Sequence, residues 1–101
     1  MSPHGPASDD DIVIVSYART AMTRAKKGAQ ANTSPELMLK PVLEAVIKEA
    51  GLKPAQVEEI TIGNVLQGGS GAASARMGQF LAGVPTETPL YVINRMCSSG
   101  L

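Results

Sequence analysis

Leu90-Tyr91-Val92-Ile93-Asn94-Arg95-Met96-Cys97-Ser98-Ser99-Gly100 is a short apolar run that turns polar, passes through the lone cysteine of the chain and closes on a Ser-Ser-Gly turn. Its first four residues have the β-branched and aromatic character of a strand. The Ser-Ser-Gly that follows predicts a strand-to-helix elbow, which displays its side chains. Position alone leaves two readings of Cys97 open. A free cysteine often behaves as a small buried hydrophobe, whereas a thiol displayed at an elbow is a candidate nucleophile.

Upstream, Val84 to Pro89 is a proline-bounded loop, and a second helix is expected to end near Gly83. On that helix Ala73, Met77, Phe80 and Leu81 share a face, with Arg76 and Gln79 off it, which reads as a stripe facing a core. Gly68-Gly69-Ser70-Gly71 precedes it and lacks both the G-x-x-x-x-G-K-[ST] and the G-x-G-x-x-G spacing. Backbone freedom at a tight strand-to-helix turn is therefore its expected purpose. Ile60 to Leu66 reads as the strand entering that turn.

An earlier amphipathic helix carries Leu39, Val42, Leu43, Val46, Ile47 and Ala50 on one stripe. Ser34 can cap it, Pro35 suits the first helical position, and Gly51 before Leu52 suits a left-handed C-cap. The pairs Glu36/Lys40 and Glu44/Lys48 have the favourable i,i+4 orientation, worth about 0.2–0.5 kcal/mol each. Pro41 is discordant: inside a helix it costs about 3 kcal/mol, so either a kink or a helix beginning near Pro41 is expected. Ile12-Val13-Ile14-Val15 reads as a first strand buried on both faces. Arg24, Lys26 and Lys27 form a basic cluster that could meet a phosphate, although such clusters usually face solvent. Residues 1–11, with Pro3, Gly5, Pro6 and three consecutive aspartates, read as a flexible leader.

The alternation strand, helix, strand, helix, strand predicts an α/β fold, a βαβαβ unit with a largely parallel sheet. Cys97 then lies at the carboxyl end of the third strand, the end at which open α/β sheets place their ligands. A helix beginning there would favour the thiolate.

The 101 residues have balanced charge, nine basic and nine acidic side chains. No overall field and no basic run interleaved with aromatics favours nucleic acid. No apolar run approaches the ~20 residues of a membrane span. One cysteine makes no internal disulfide, and His4 has no neighbouring ligands, so no protein-built metal site is expected. The chain reads as soluble and intracellular.

The segment Asn94 to Leu101 resembles the nucleophilic-cysteine motif of the thiolases. Tyr17-Ala18-Arg19-Thr20-Ala21 is similar to the arginine-threonine turn after the first thiolase strand, Ile62-Gly63-Asn64-Val65-Leu66-Gln67 to the second strand and its exit, and Ala75-Arg76-Met77 to the helix that follows. Residues 12–101 match in register. Within the family, Asn-Arg-x-Cys-Ser-Ser-Gly-Leu and Arg24-Ala25-Lys26 look most like degradative 3-ketoacyl-CoA thiolases of the peroxisomal kind, although Met96 stands where that group commonly has a polar residue.

The resemblance implies that Cys97 attacks a 3-ketoacyl-CoA at its 3-keto carbonyl, that acetyl-CoA leaves, and that a second CoA collects the shortened acyl group. It implies that the Cys97 backbone N–H helps stabilise an oxyanion. CoA enters as substrate, no prosthetic group is implied, and the CoA-holding residues are not identified in this chain. The activating histidine and the second, acid/base cysteine of the family come from later segments, so residues 12–101 are expected to be the first part of an N-terminal thiolase domain, inactive alone. The resemblance further implies a homodimer paired beside Leu90 to Asn94 and favours a peroxisomal location, with cytoplasm and mitochondrion left open. The alternatives are an acetoacetyl-CoA thiolase or other condensing enzyme of the superfamily, or a non-catalytic truncated fragment.

Overall fold

The computed structural model describes Gly5 and residues 8–100. Helix α1 spans Pro35–Glu49, strand β1 Ile60–Gly63, helix α2 Ala72–Leu81 and strand β2 Leu90–Ile93, followed by a single 3₁₀ turn at Met96–Ser98. Short 3₁₀ turns also occur at Pro54–Gln56 and Gly68–Gly71.

Helix α1 begins where the sequence marks it, although the Ser34 hydroxyl makes no capping hydrogen bond. Ser34 is extended at the N-cap, Pro35 follows, and the Ser34 carbonyl accepts from the N–H groups of Leu37 and Met38. At the other end Gly51 takes φ +69°, the Gly51 N–H reaches the Lys48 carbonyl at 3.0 Å, and the Leu52 N–H reaches Ile47 at 3.1 Å. These two bonds form a Schellman motif, which satisfies carbonyls that the helix end would orphan. The same arrangement closes α2, with Gly83 at φ +79°, Gly83 N–H to Phe80 and Val84 N–H to Gln79.

The helix runs unbroken through Pro41, so a start near that residue is corrected. The carbonyl denied a partner by Pro41 belongs to Leu37, an exposed residue. The ion-pair pattern also differs from expectation: Lys40 Nζ meets Glu44 Oε1 at 2.6 Å. Glu36 is engaged elsewhere, because its own backbone N–H and then the Ser34 hydroxyl hold its carboxyl below the ordinary value.

Strands β1 and β2 pair in parallel, with Ile60 opposite Leu90 and Gly63 opposite Ile93. Ile47, Ile60 and Val84 form the buried cluster, and Leu43, Val46, Val57, Ile62 and Leu90 pack on it. The α/β reading and the stripe on α1 thus hold. Ile12–Val15, by contrast, forms no strand: it joins no ladder, and all four side chains are exposed. A β-branched run expresses its preference only on a paired, covered surface, and among the described residues no strand lies beside it. Ser16 ties the following residue to α1, its hydroxyl donating to the Val46 carbonyl at 2.8 Å.

The face of α2 is also corrected. Ala73, Met77, Phe80 and Leu81 are exposed, while Ala75, Gly78 and Gln79 are buried. Gly78 is consistent with the rotation: a Cβ there would lie 2.8 Å from Leu39 Cδ2 and 3.1 Å from Leu39 Cβ, so α1 approaches closely enough that a larger residue would have to displace the Leu39 side chain. Strand β1 stops at Gly63 instead of continuing to Leu66. Asn64 diverts the chain, its Oδ1 accepting from the Gln67 N–H at 3.0 Å and its Nδ2 donating to the Gln67 carbonyl at 3.2 Å. Of the expected leader, residues 1–4, 6 and 7 lie outside the described residues, as does Leu101.

Candidate active site

The β1 exit is shaped by three successive left-handed residues, Gly69, Ser70 and Gly71. Gly71 has a second reason to lack a side chain, since a Cβ would meet Asn64 Nδ2 at 2.8 Å and Gln67 Oε1 at 3.0 Å. This is the backbone role read from the glycines. The basic residues Arg24, Lys26 and Lys27 are exposed.

The entry to β2 is held by two polar side chains that the sequence reading set aside. Gln79 is completely buried; its Nε2 donates to the carbonyls of Pro85 at 2.9 Å and Thr88 at 3.0 Å, and its Oε1 accepts from Arg76 Nη1 at 2.8 Å. Arg76 also donates to the Thr88 carbonyl at 2.7 Å and the Thr86 carbonyl at 2.6 Å, and its guanidinium carbon lies 4.7 Å from the Phe80 ring centroid. Thr88 returns a hydroxyl bond to Val57 at 2.9 Å. A proline-broken loop cannot satisfy its carbonyls in a ladder, so side chains from α2 do it. The available signal was that loop lying beside an i,i+3 Arg-Gln pair.

Cys97 is exposed, in the middle of the 3₁₀ turn at the carboxyl end of β2. At the expected helix start the described residues form a turn of i→i+3 geometry, in which the Met96 carbonyl accepts from both the Ser99 N–H at 3.2 Å and the Ser99 hydroxyl at 2.7 Å. Met96, immediately before the thiol, has φ +53°. That conformation costs a residue with a Cβ about 1–2 kcal/mol. It persists because both of its backbone groups are tied by side chains: Asn94 Oδ1 accepts from the Met96 N–H at 3.0 Å, and the Ser99 hydroxyl donates to its carbonyl. The Ser99 hydroxyl also accepts from the Arg95 N–H at 2.8 Å, and Arg95 Nη2 reaches the Ser98 carbonyl at 3.3 Å.

The turn rests on β1. A Cβ on Gly63 would collide with the Ser99 carbonyl oxygen, lying 2.7 Å from the Ser99 carbonyl carbon and 3.0 Å from its Cβ. A cleft of about 250 Å³ between α1, the β1 exit and α2 is lined by Leu39, Ile62, Asn64 and Ser74, and a hollow of about 470 Å³ by Gly63, Ile93, Arg95 and Ser99. Cys97 lines neither of them. The arrangement presents an exposed thiol on a turn held by side-chain hydrogen bonds from Asn94 and Ser99.

Residues 12–101 match the N-terminal domain of thiolase. The chain is 48% identical over 95 residues to peroxisomal 3-ketoacyl-CoA thiolase A of Mus musculus and 47% identical over 95 residues to the peroxisomal 3-ketoacyl-CoA thiolase of Homo sapiens. In each case the match covers 94% of this chain and 22% of the relative, so the chain spans about a fifth of the length of these curated relatives. Among solved structures it superposes on the peroxisomal 3-ketoacyl-CoA thiolase of Saccharomyces cerevisiae with a TM-score of 0.81 at 35% identity, covering 90% of this chain and 28% of that one. That protein is described as a five-layered α-β-α-β-α structure built from two core domains of identical topology. A dimeric peroxisomal thiolase of the same yeast matches with a TM-score of 0.78 at 34% identity, over 88% of this chain and 24% of that one. The chain therefore belongs to the thiolase family, through its N-terminal domain.

Proposed function

We propose that residues 12–101 are the nucleophile-bearing part of the N-terminal domain of a 3-ketoacyl-CoA thiolase, an acetyl-CoA C-acyltransferase of β-oxidation, behind a leader of residues 1–11. The observation that carries this reading is the exposed Cys97 on a braced turn at the carboxyl end of β2, inside the segment matching the thiolase domain.

In the complete protein the Cys97 thiolate attacks the 3-keto carbonyl carbon of 3-ketoacyl-CoA. The C2–C3 bond breaks, its electron pair leaves with the acetyl-CoA fragment as an enolate, and a proton supplied from outside this chain segment completes acetyl-CoA. The acyl group stays on Cys97 as a thioester. The thiol of a second CoA gives up its proton and attacks that thioester, releasing an acyl-CoA two carbons shorter and restoring the thiolate. A sulfur nucleophile suits both halves, being strongly nucleophilic near neutral pH and forming a thioester close in free energy to that of CoA. The activating histidine and the proton-handling cysteine are assigned by family resemblance to other segments. The peroxisomal relatives support a peroxisomal location, and the dimeric yeast relative supports a homodimer.

The test is made on the complete protein. Cys97→Ala should abolish thiolysis and leave no trapped acyl group, and Cys97→Ser should lose several orders of magnitude in rate, because a hydroxyl is far less ionised. Thiolysis retained by Cys97→Ala, or an acyl group mapped by mass spectrometry to another residue, sinks the assignment.

A further inference from the structure

We propose that Ser99 is a positioning residue for Cys97, its hydroxyl bracing the left-handed Met96 while its backbone sits on Gly63; this rests on the reading of Cys97 as the nucleophile. A serine hydroxyl can accept and donate at once, and Ser99 uses both capacities on the two residues leading into the thiol. It accepts from the Arg95 N–H at 2.8 Å and donates to the Met96 carbonyl at 2.7 Å. Together these bonds draw residues 95 to 99 into a closed loop with Cys97 at its outer point.

The loop is anchored from outside itself by a different element. Ser99 lies against Gly63 at the end of β1, so closely that a side chain on Gly63 is sterically excluded. Strand β1 in turn is paired to β2 and packed into the core through Ile60 and Ile62. The position of Cys97 is thus referred to the core through Ser99 and Gly63 as well as along the chain from β2. Asn94 completes the brace by holding the Met96 N–H at 3.0 Å. Removing the Ser99 hydroxyl frees Met96 to relax towards ordinary backbone angles, which swings the Cys97 side chain. Displacing a reacting group by about 1 Å can cost about 100-fold in rate.

The isosteric pair Ser99→Thr and Ser99→Val, made in the complete protein, isolates the hydroxyl from its shape. Thiolysis of a 3-ketoacyl-CoA should show kcat for Ser99→Val about ten- to a hundredfold below Ser99→Thr, with KM for CoA alike in the two, and iodoacetamide labelling of Cys97 altered only in Ser99→Val. Equal kcat in both variants overturns the proposal. Hydrogen exchange at the Arg95 amide of the unsubstituted protein gives a readout independent of whether the variants fold: protection supports the brace, and exchange at the free-peptide rate overturns it. Cys97→Ala is run alongside. If it abolishes thiolysis while Ser99→Val matches Ser99→Thr, only the positioning role fails; if it leaves thiolysis intact, the reading of Cys97 fails first.

Discussion

Gly63→Ala should separate the stability of this fold from the placement of its thiol. Gly63 lies in β1 without a positive φ, so alanine meets no backbone penalty and gains about 0.5–1 kcal/mol over glycine in a strand. Its methyl, however, would sit 2.7 Å from the Ser99 carbonyl carbon and 3.0 Å from Ser99 Cβ. Unstrained carbon contacts lie near 3.5–4.0 Å, so the two segments must part by roughly 0.5–1 Å. Strand β1 is held by its ladder to β2 and by Ile60 and Ile62 in the core, whereas the turn is held by a few side-chain bonds. The turn therefore yields. Overpacking costs about 1–3 kcal/mol, and the strand gain offsets part of it, leaving a net loss of about 0–2.5 kcal/mol. Displacement of Cys97 should lower kcat by up to about 100-fold. The complete protein with Gly63→Ala should thus melt close to its parent while losing most of its thiolysis, and Cys97 should label with iodoacetamide at a changed rate. A variant that melts normally and keeps kcat within about twofold of its parent would show that the Ser99 contact does not set the thiol's position.

Gln79→Leu keeps the volume but leaves the Pro85 carbonyl without its Gln79 donor, while Arg76 keeps its bonds to Thr86 and Thr88; chemical denaturation should show a loss of about 1–3 kcal/mol, the cost of one unsatisfied group, and an unchanged midpoint would refute the network's role. Gly78→Ala gains about 1 kcal/mol in helix propensity and loses about 1–3 kcal/mol against Leu39. It should be neutral to destabilising alone, and combined with Leu39→Ala it should cost less than the sum of the two changes, so additive losses would count against the close approach.

The parts of the fold legible in the sequence are those fixed by covalent peculiarities of single residues. Pro35 after Ser34 opens α1, and Gly51 and Gly83 close the two helices because residues without a Cβ take the left-handed angle most readily. The apolar stripe of α1 was legible because that helix does bury Leu43, Val46 and Ile47 against or into the core. Helix α2 misled because its packing is set by distance instead of hydrophobicity. Where two backbones come close, glycine and alanine take the buried face and the large apolar residues turn outward, the reverse of what a hydropathy ranking gives. Ile12–Val15 misled for a related reason, since strand character is realised only in a pair, and pairing is a relation that the run itself does not contain.

The candidate site shows the same division in finer detail. Cys97 stood out because a single thiol followed a strand signal and preceded Ser-Ser-Gly, and the structure places it on the surface at the carboxyl end of β2. Ser99 did not stand out, because serines in turns are common and their usual work is local. Its significance comes from two facts that are non-local in sequence or depend on backbone angle: Gly63 lies 36 positions earlier in the chain, and Met96 occupies a conformation that its own side chain disfavours. A strained residue is kept only where its surroundings over-determine it. Here the Asn94 and Ser99 bonds secure both backbone groups of Met96, and Gly63 leaves room for the Ser99 backbone beneath the turn. Met96→Gly would remove the strain while keeping both bonds, because Asn94 and Ser99 hold main-chain atoms that glycine also carries.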